Sequence, residues 1–456
     1  MRFTKTLVLA AVVGFGFLAC NPSDFNSVLD KAPVLDLGTP GSSTGSLFVL
    51  PLPAPDPATK VAARMLVLRK DSSYLALADY DMNGKVTLNA ASDTETAALG
   101  GLVYSSAVRA DGLIILGTPG FGGTQTPPGR VSTLTLGSKA DGSPLFGLQS
   151  GIPGGNGITR LGISVAAGNV TGTVTGAPPS DFVVVGDNSV YVLGTDPTAP
   201  LAYAASDTCP ALALGSLTDF YAFRPLVVAN LLANAFLLPD AFDRDEIVLG
   251  GQVGGQGPGQ VLFIQYNDTG ALPCPAKVLT LNATATSFGT SLAAGDFDGD
   301  GHMDLAVGAP PNHVYVYFGP LDTAVNPDVD IAGPTGATQF GKQIATYSLP
   351  GMAAQLLVAD PTAQSPGGVG EVMLFNVTRG VPNIPTKAAV ATLFDSNKDS
   401  DPGLLGLNLG GVEFNMGLCK PTGGKQLVPW ASLGPDLLTF FAYSGSPADP
   451  RCFAQP

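Results

Sequence analysis

The sequence predicts an all-β chain whose repeated unit closes into a seven-bladed β-propeller, and three observations carry that expectation. Gly 58 and Pro 39 among 456 residues, with only 13% charged residues, leave little room for amphipathic helices. A pair of short apolar strands recurs along the chain, and a fixed supersecondary unit repeated every few tens of residues is the mark of a propeller or solenoid. The last copy lacks an outer strand while a spare apolar segment precedes the first, so the two ends are expected to pair and remove two free sheet edges.

Taken in order, residues 1–20 read as an export signal. Arg2 and Lys5 precede the apolar run Leu7–Leu18, too short for an ordinary membrane span, and Ala19-Cys20 closes it. This segment resembles a bacterial lipoprotein signal. The resemblance implies lipidation at Cys20 and an exported protein held in the cell envelope, expected at the outer membrane. Residues 21–44, rich in Pro, Gly, Ser and Thr, read as a tether, and 45–456 as the propeller.

Seven copies of the strand pair follow. Tyr74–Ala78 is followed by Val86, Leu113–Gly117 by Val131, Phe182–Gly186 by Val190 and Glu246–Gly250 by Val261. Leu305–Gly308 is followed by Val314, Gln355–Ala359 by Val372 and Leu427–Ala431 by Leu437. These anchors recur about every 58 residues, which suits a four-stranded blade with its loops. Pro429 demotes the last strand or marks it as an edge. An outer fourth strand is expected at Ala211–Leu214, Val278–Leu281 and Val329–Ala332; the seventh copy has none, and Leu47–Leu50 is the candidate to supply it.

The fifth copy holds the stretch on which the site chemistry rests, Gly295–Pro310, GDFDGDGHMDLAVGAP. Asp296, Asp298, Asp300 and Asp304 stand at loop positions 1, 3, 5 and 9, and Gly299 and Gly301 permit the tight turn. Carboxylates at alternate residues converge on one point, as a hard cation with six to eight oxygens at ~2.3 to 2.6 Å requires, and the main-chain carbonyl of His302 would complete the set. An EF-hand would carry a Glu at position 12 and flanking helices; here position 12 is Val307 in a strand-like run. With Phe288-Gly289 ahead and Gly308-Ala309-Pro310 behind, the segment resembles an FG-GAP repeat, the unit of the integrin alpha-subunit propeller. The resemblance implies a calcium ion in this loop and a ligand surface on the opposite face. Similar openings stand at Phe340-Gly341, Leu161-Gly162 and Leu405-Gly406. The other copies lack the full acidic set; Asp240, Asp243 and Asp245 form a shortened version, and Asp79–Gly84 reads as an ordinary turn.

Other chemistry is thinly represented. A net charge of −14 argues against nucleic acid as a partner. The two histidines, His302 and His313, lie in or beside the acidic stretch of the fifth copy, and no motif pairs either of them with a nucleophile. The Gly-rich segments 117–129 and 250–259 join strands and open no helix, so they are loops and not phosphate cradles. Besides Cys20, the cysteines are Cys209, Cys274, Cys419 and Cys452, which suit up to two disulfides in an exported protein. The expected pairs are Cys419 with Cys452, and Cys209 with Cys274. Function is expected to be non-enzymatic, a binding or adhesion platform for a protein or glycan, with Thr118–Gly129, Gly251–Gly259 and Asp360–Gly370 as its long face loops. A carbohydrate-active propeller would instead need convergent acidic or aromatic side chains in a deep central pocket, and a structural envelope component a broad apolar face.

Overall fold

The computed structural model describes residues 34–36, 47–52, 61–69, 73–81, 86–109, 111–120, 127–153, 159–171, 181–187, 189–193, 212–213, 217–218, 224–233, 244–253, 257–267, 274–283, 285, 287–322, 326–347, 353–365, 368–379, 385–394, 409–415, 425–433 and 437–440. Among them the chain is all-β apart from a short helical stretch at 93–99, and its strands form seven antiparallel sheets, an arrangement that fits a β-propeller. Sheet 1 is Leu47–Pro51, Val61–Arg69, Leu75–Asp81 and Val86–Ala90. Sheet 2 is Ser105–Val108, Ile114–Thr118, Arg130–Ser138 and Pro144–Pro153; sheet 3 is Ser164–Gly168, Asp181–Val185, Ser189–Leu193 and Leu212–Ala213. Sheet 4 runs Leu226–Ala229, Glu246–Val253, Gly259–Asn267 and Cys274–Asn282, with the short strand Leu217–Thr218 also on its second strand. Sheet 5 is Ser291–Gly295, Asp304–Ala309, His313–Tyr317 and Val329–Ala332; sheet 6 is Gln343–Tyr347, Gln355–Ser365, Gly368–Arg379 and Pro385–Phe394. Sheet 7 is Leu409–Asn415, Lys425–Leu433 and Leu437–Phe440, completed by Val34–Asp36 from the other end of the chain. The first strand of each sheet touches the first strand of the next, and that of sheet 7 touches that of sheet 1.

Four expectations are corrected. The outer strand of sheet 7 does come from the N-terminal side, but it is Val34–Asp36 that pairs with Leu437–Thr439, not Leu47–Leu50. Leu47–Pro51 pairs with Met65–Arg69 as the innermost strand of sheet 1. Folded structure therefore begins inside the segment read as a tether. The Tyr74–Ala78 and Val86 pair is the third and fourth strand of its sheet, because Val61–Arg69 supplies the second; this one-strand offset is why the first anchor spacing is short. Asp360–Gly370 is mostly a continued hairpin, with Gln364 opposite Val369 and Ser365 opposite Gly368 beyond a bulge. The outer strands at 212–213, 274–282 and 329–332 stand where they were expected. Pro429 lies just outside the ladder to the third strand, which starts at Trp430, so its missing N–H costs no bond there. Residues 1–20, Cys209, Cys419 and Cys452 lie outside the described residues, and Cys274 opens the fourth strand of sheet 4. No helix among the described residues is long and apolar enough to cross a membrane.

The cores lie between neighbouring sheets, since a strand pointing alternate side chains to its two faces must bury both. Phe340 and Phe375 of sheet 6 pack edge to face and join Val314 and Val316 of sheet 5 in one cluster, while Phe288, Leu305 and Val307 of sheet 5 join Val248 and Phe263 of sheet 4 in another. The seams are closed by glycine. A methyl group on Gly117, Gly250 or Gly308 would collide with the carbonyl oxygen of Gly162, Gly289 or Gly341 in the next sheet. Those three partner glycines have φ of 87°, 86° and 82°, a left-handed conformation that side chains disfavour. Beside two of these seams a hydroxyl ties one sheet to the next: Ser105 Oγ donates to Gly162 O at 2.9 Å and Ser291 Oγ to Gly341 O at 2.7 Å. Ser164 makes the same bond to Arg224 O, at the seam where Arg224 replaces the glycine.

Candidate metal centre

Gly295 ends the first strand of sheet 5 and Asp304 opens the second, so the eight residues between them form one turn. Gly299 and Gly301 take φ of 80° and 90°, the reversals that fold the turn onto itself. Asp296 accepts from Gly299 N at 2.7 Å and Gly301 N at 3.0 Å, Asp298 from Asp300 N at 3.1 Å, and Asp300 from His302 N at 2.9 Å. Each carboxylate is thereby aimed by a backbone donor downstream of it. Asp296, Asp298 and Asp304 bring one oxygen each to within 4.8 Å of one another. Oxygens bound to one calcium ion stand at most ~5.2 Å apart, twice the longest usual metal–oxygen distance, so the three fit that ion. Asp300 and His302 are exposed and lie outside this group.

Asp304 differs from the others. Its side chain is fully buried, Oδ2 accepting from Phe297 N at 2.7 Å and Asp298 N at 3.3 Å, and Oδ1 from Gly319 N at 2.8 Å. Burial pushes its carboxyl up to about 7 against the pull of these donors, and the Asp298 charge adds to the rise. Asp298 is raised too, first by burial and then by the charge of Asp300, with Arg379 opposing.

The Asp304 arrangement recurs where the acidic turn is absent. Asp181, opening the second strand of sheet 3, accepts from Val170 N at 3.0 Å and Thr171 N at 2.8 Å. Glu246, at the same place in sheet 4, accepts from Leu231 N at 2.7 Å and Leu232 N at 3.0 Å. In all three sheets the donors are the second and third residues after the first strand. A buried carboxylate thus clamps the connection, and in sheet 5 the same clamp also faces the candidate cation. Asp181 and Glu246 escaped the sequence reading, although an acidic residue directly ahead of each apolar run was the available signal. Asp245, one member of the shortened acidic set, turns to sheet 3, where its Oδ2 accepts from Asn169 N at 2.7 Å; Asp240 and Asp243 lie outside the described residues. Asp245 N also donates to Asn169 O at 2.9 Å, and the same backbone tie in sheet 5 runs from Ala354 N of sheet 6 to Asp296 O at 2.6 Å, so the acidic turn is fixed to its neighbour.

At the other end of the first strands is a cavity of about 310 Å³ lined from six sheets. Ser105, Ser164, Ser291 and Gln343 supply polar atoms, and Tyr104 is the only ionisable side chain of its described lining.

Residues 288–317 match the family model of the FG-GAP repeat, the stretch that runs from Phe288-Gly289 through the acidic turn to the third strand of sheet 5. No curated protein matches the chain at a significant level.

Proposed function

We propose that the chain is an exported, closed seven-bladed FG-GAP propeller, anchored in the cell envelope by lipid on Cys20, that binds one calcium ion and serves as a non-enzymatic binding or adhesion platform. The observation that carries this reading is the turn after the first strand of sheet 5, where three carboxylate oxygens converge within 4.8 Å inside the matched FG-GAP repeat. Asp296, Asp298 and Asp304 would hold the ion, with Asp300 and the His302 carbonyl closing the set. A bound calcium ion supplies charge neutralisation and cross-linking of the turn. The chain's own residues do the rest: the glycines shape the turn, Asp304 clamps it to Gly319, and the Asp296 carbonyl fixes it to sheet 6. Ring closure is supported by the succession of first-strand contacts from sheet 1 to sheet 7 and back, and by Val34–Asp36 completing the last sheet.

The acidic turn joins first to second strands, so the hairpins joining second to third strands lie on the opposite face, where the axial cavity also opens. Glycoside hydrolysis needs a pair of facing carboxyl groups. The described lining of hydroxyls, an amide and apolar side chains instead favours contact with a neutral protein or glycan surface. Affinity capture from intact envelopes, run with calcium and with chelator, tests the reading. A partner retained with calcium and lost with chelator is expected; a bait that retains nothing under either condition, or that cleaves oligosaccharides, contradicts it.

A further inference from the structure

Arg379, the last residue of the third strand of sheet 6, reaches across the seam onto the acidic turn of sheet 5. Its Nε stands 2.7 Å from Asp298 Oδ2, and its Nη2 stands 3.7 Å from Asp300 Oδ2 and 3.4 Å from Gly319 O. The guanidinium carbon lies 4.9 Å from the centre of the Phe318 ring, within cation–π range. The Asp298 side chain is only 1% exposed, whereas that of Arg379 is 40% exposed. A buried carboxylate therefore has a partner that can leave it for water. Removing that partner with nothing in its place would strand a buried charge, which is strongly unfavourable.

We propose that Arg379 is a resident counter-ion of the cation site, which a divalent ion must displace or outweigh at Asp298. This inference rests on the calcium reading and adds to it that the site is weaker than its oxygen donors alone would make it. It also adds that occupancy is coupled to the sheet 5–sheet 6 seam. In the metal-free protein the guanidinium neutralises Asp298 and ties the two sheets together; an ion between Asp296, Asp298 and Asp304 takes over the neutralisation, and its two positive charges repel the guanidinium. The fork geometry is specific to arginine, but the repulsion is not, so lysine at this position keeps the competition while loosening the tie. A unit positive charge ~6 Å from a divalent ion weakens its binding about tenfold even at bulk-water screening. Arg379→Met keeps much of the aliphatic stem over Phe318 and removes the charge.

The test is calcium titration by calorimetry of the whole exported chain, wild type against R379M and R379K, with melting temperatures of each in chelator and in saturating calcium. Expected are calcium binding by R379M about tenfold tighter than wild type, R379K close to wild type, and a calcium-induced rise in melting temperature larger in R379M than in wild type. R379M that binds with unchanged or weaker affinity overturns the proposal, because a guanidinium that merely orients Asp298 would support the ion. If R379M does not fold, R379K decides: affinity well below wild type marks such an orienting role and overturns the proposal, whereas near-wild-type affinity with a lower metal-free melting temperature upholds it. Failure of wild type and R379M alike to bind calcium removes the calcium reading itself, an outcome distinct from these.

Discussion

Asp304 and Asp296 both belong to the convergent acidic group, yet their surroundings give them different work, and substitution separates the two. Asp304→Ala removes the acceptor of three backbone N–H groups, those of Phe297, Asp298 and Gly319, in a fully buried place. A buried donor left without an acceptor costs ~1–3 kcal/mol. The bond to Asp298 N is long at 3.3 Å and contributes little. Loss of a carboxylate that burial already penalises offsets part of the remainder, leaving a net destabilisation of roughly 2–4 kcal/mol. Asp296→Ala strands only the exposed donors Gly299 N and Gly301 N, which water satisfies, so its metal-free cost stays within about 0.5 kcal/mol. The assay is equilibrium urea unfolding in chelator, followed by far-UV circular dichroism, for wild type and both variants. If Asp304 were a metal ligand and nothing more, D304A would unfold with wild type in chelator; that coincidence would show the clamp to be wrong.

Two further outcomes follow from the same contacts. Burial raises Asp304 and Glu371 each to about 7, so between pH 5 and 7 the folded chain holds more protons than the unfolded one. Metal-free stability then falls as pH climbs through that window, by at most about 1.4 kcal/mol per pH unit for each group. Calcium held as proposed would bind the ionised carboxylate and offset the Asp304 share; a metal-free melting temperature that is flat or rises from pH 5 to 7 would contradict the effect of burial on these two groups. Gly308→Ala drives a methyl group into the Gly341 carbonyl across the sheet 5–sheet 6 seam, and main chain on both sides leaves little room to yield. Destabilisation of at least ~2 kcal/mol in urea unfolding is expected, and a variant as stable as wild type would show that the seam is looser than described.

The repeat was legible because its strand pairs are strongly apolar: each buried run, from Ile114–Thr118 to Asp304–Ala309, stands out against glycine-rich connections. The acidic turn was legible because its spacing is tied to one local geometry. What escaped lies between sheets or at the chain ends. Val34–Asp36 is three residues long and gains its place only from the edge it completes, so nothing local marks it. Val61–Arg69 carries the buried apolar run Met65–Leu68, as strong as those of the other sheets, but it was not matched to the repeat, and without it sheet 1 was counted one strand out of phase. Arg379 stands 81 residues after Asp298, and only the seam brings the two together. The Gly117, Gly250 and Gly308 approaches explain why the repeat needs glycine at both ends of its motif, a requirement visible in the letters but interpretable only from the neighbouring sheet.

Calorimetric titration of the chain with calcium at pH 7, alongside Asp296→Ala, decides whether the convergent carboxylates of sheet 5 form a cation site. One equivalent of calcium bound by wild type and none by D296A is the expected result. Binding unaffected by D296A, three or more equivalent sites, or no heat of binding at any calcium concentration up to the extracellular millimolar range of ~10⁻³ M would contradict it.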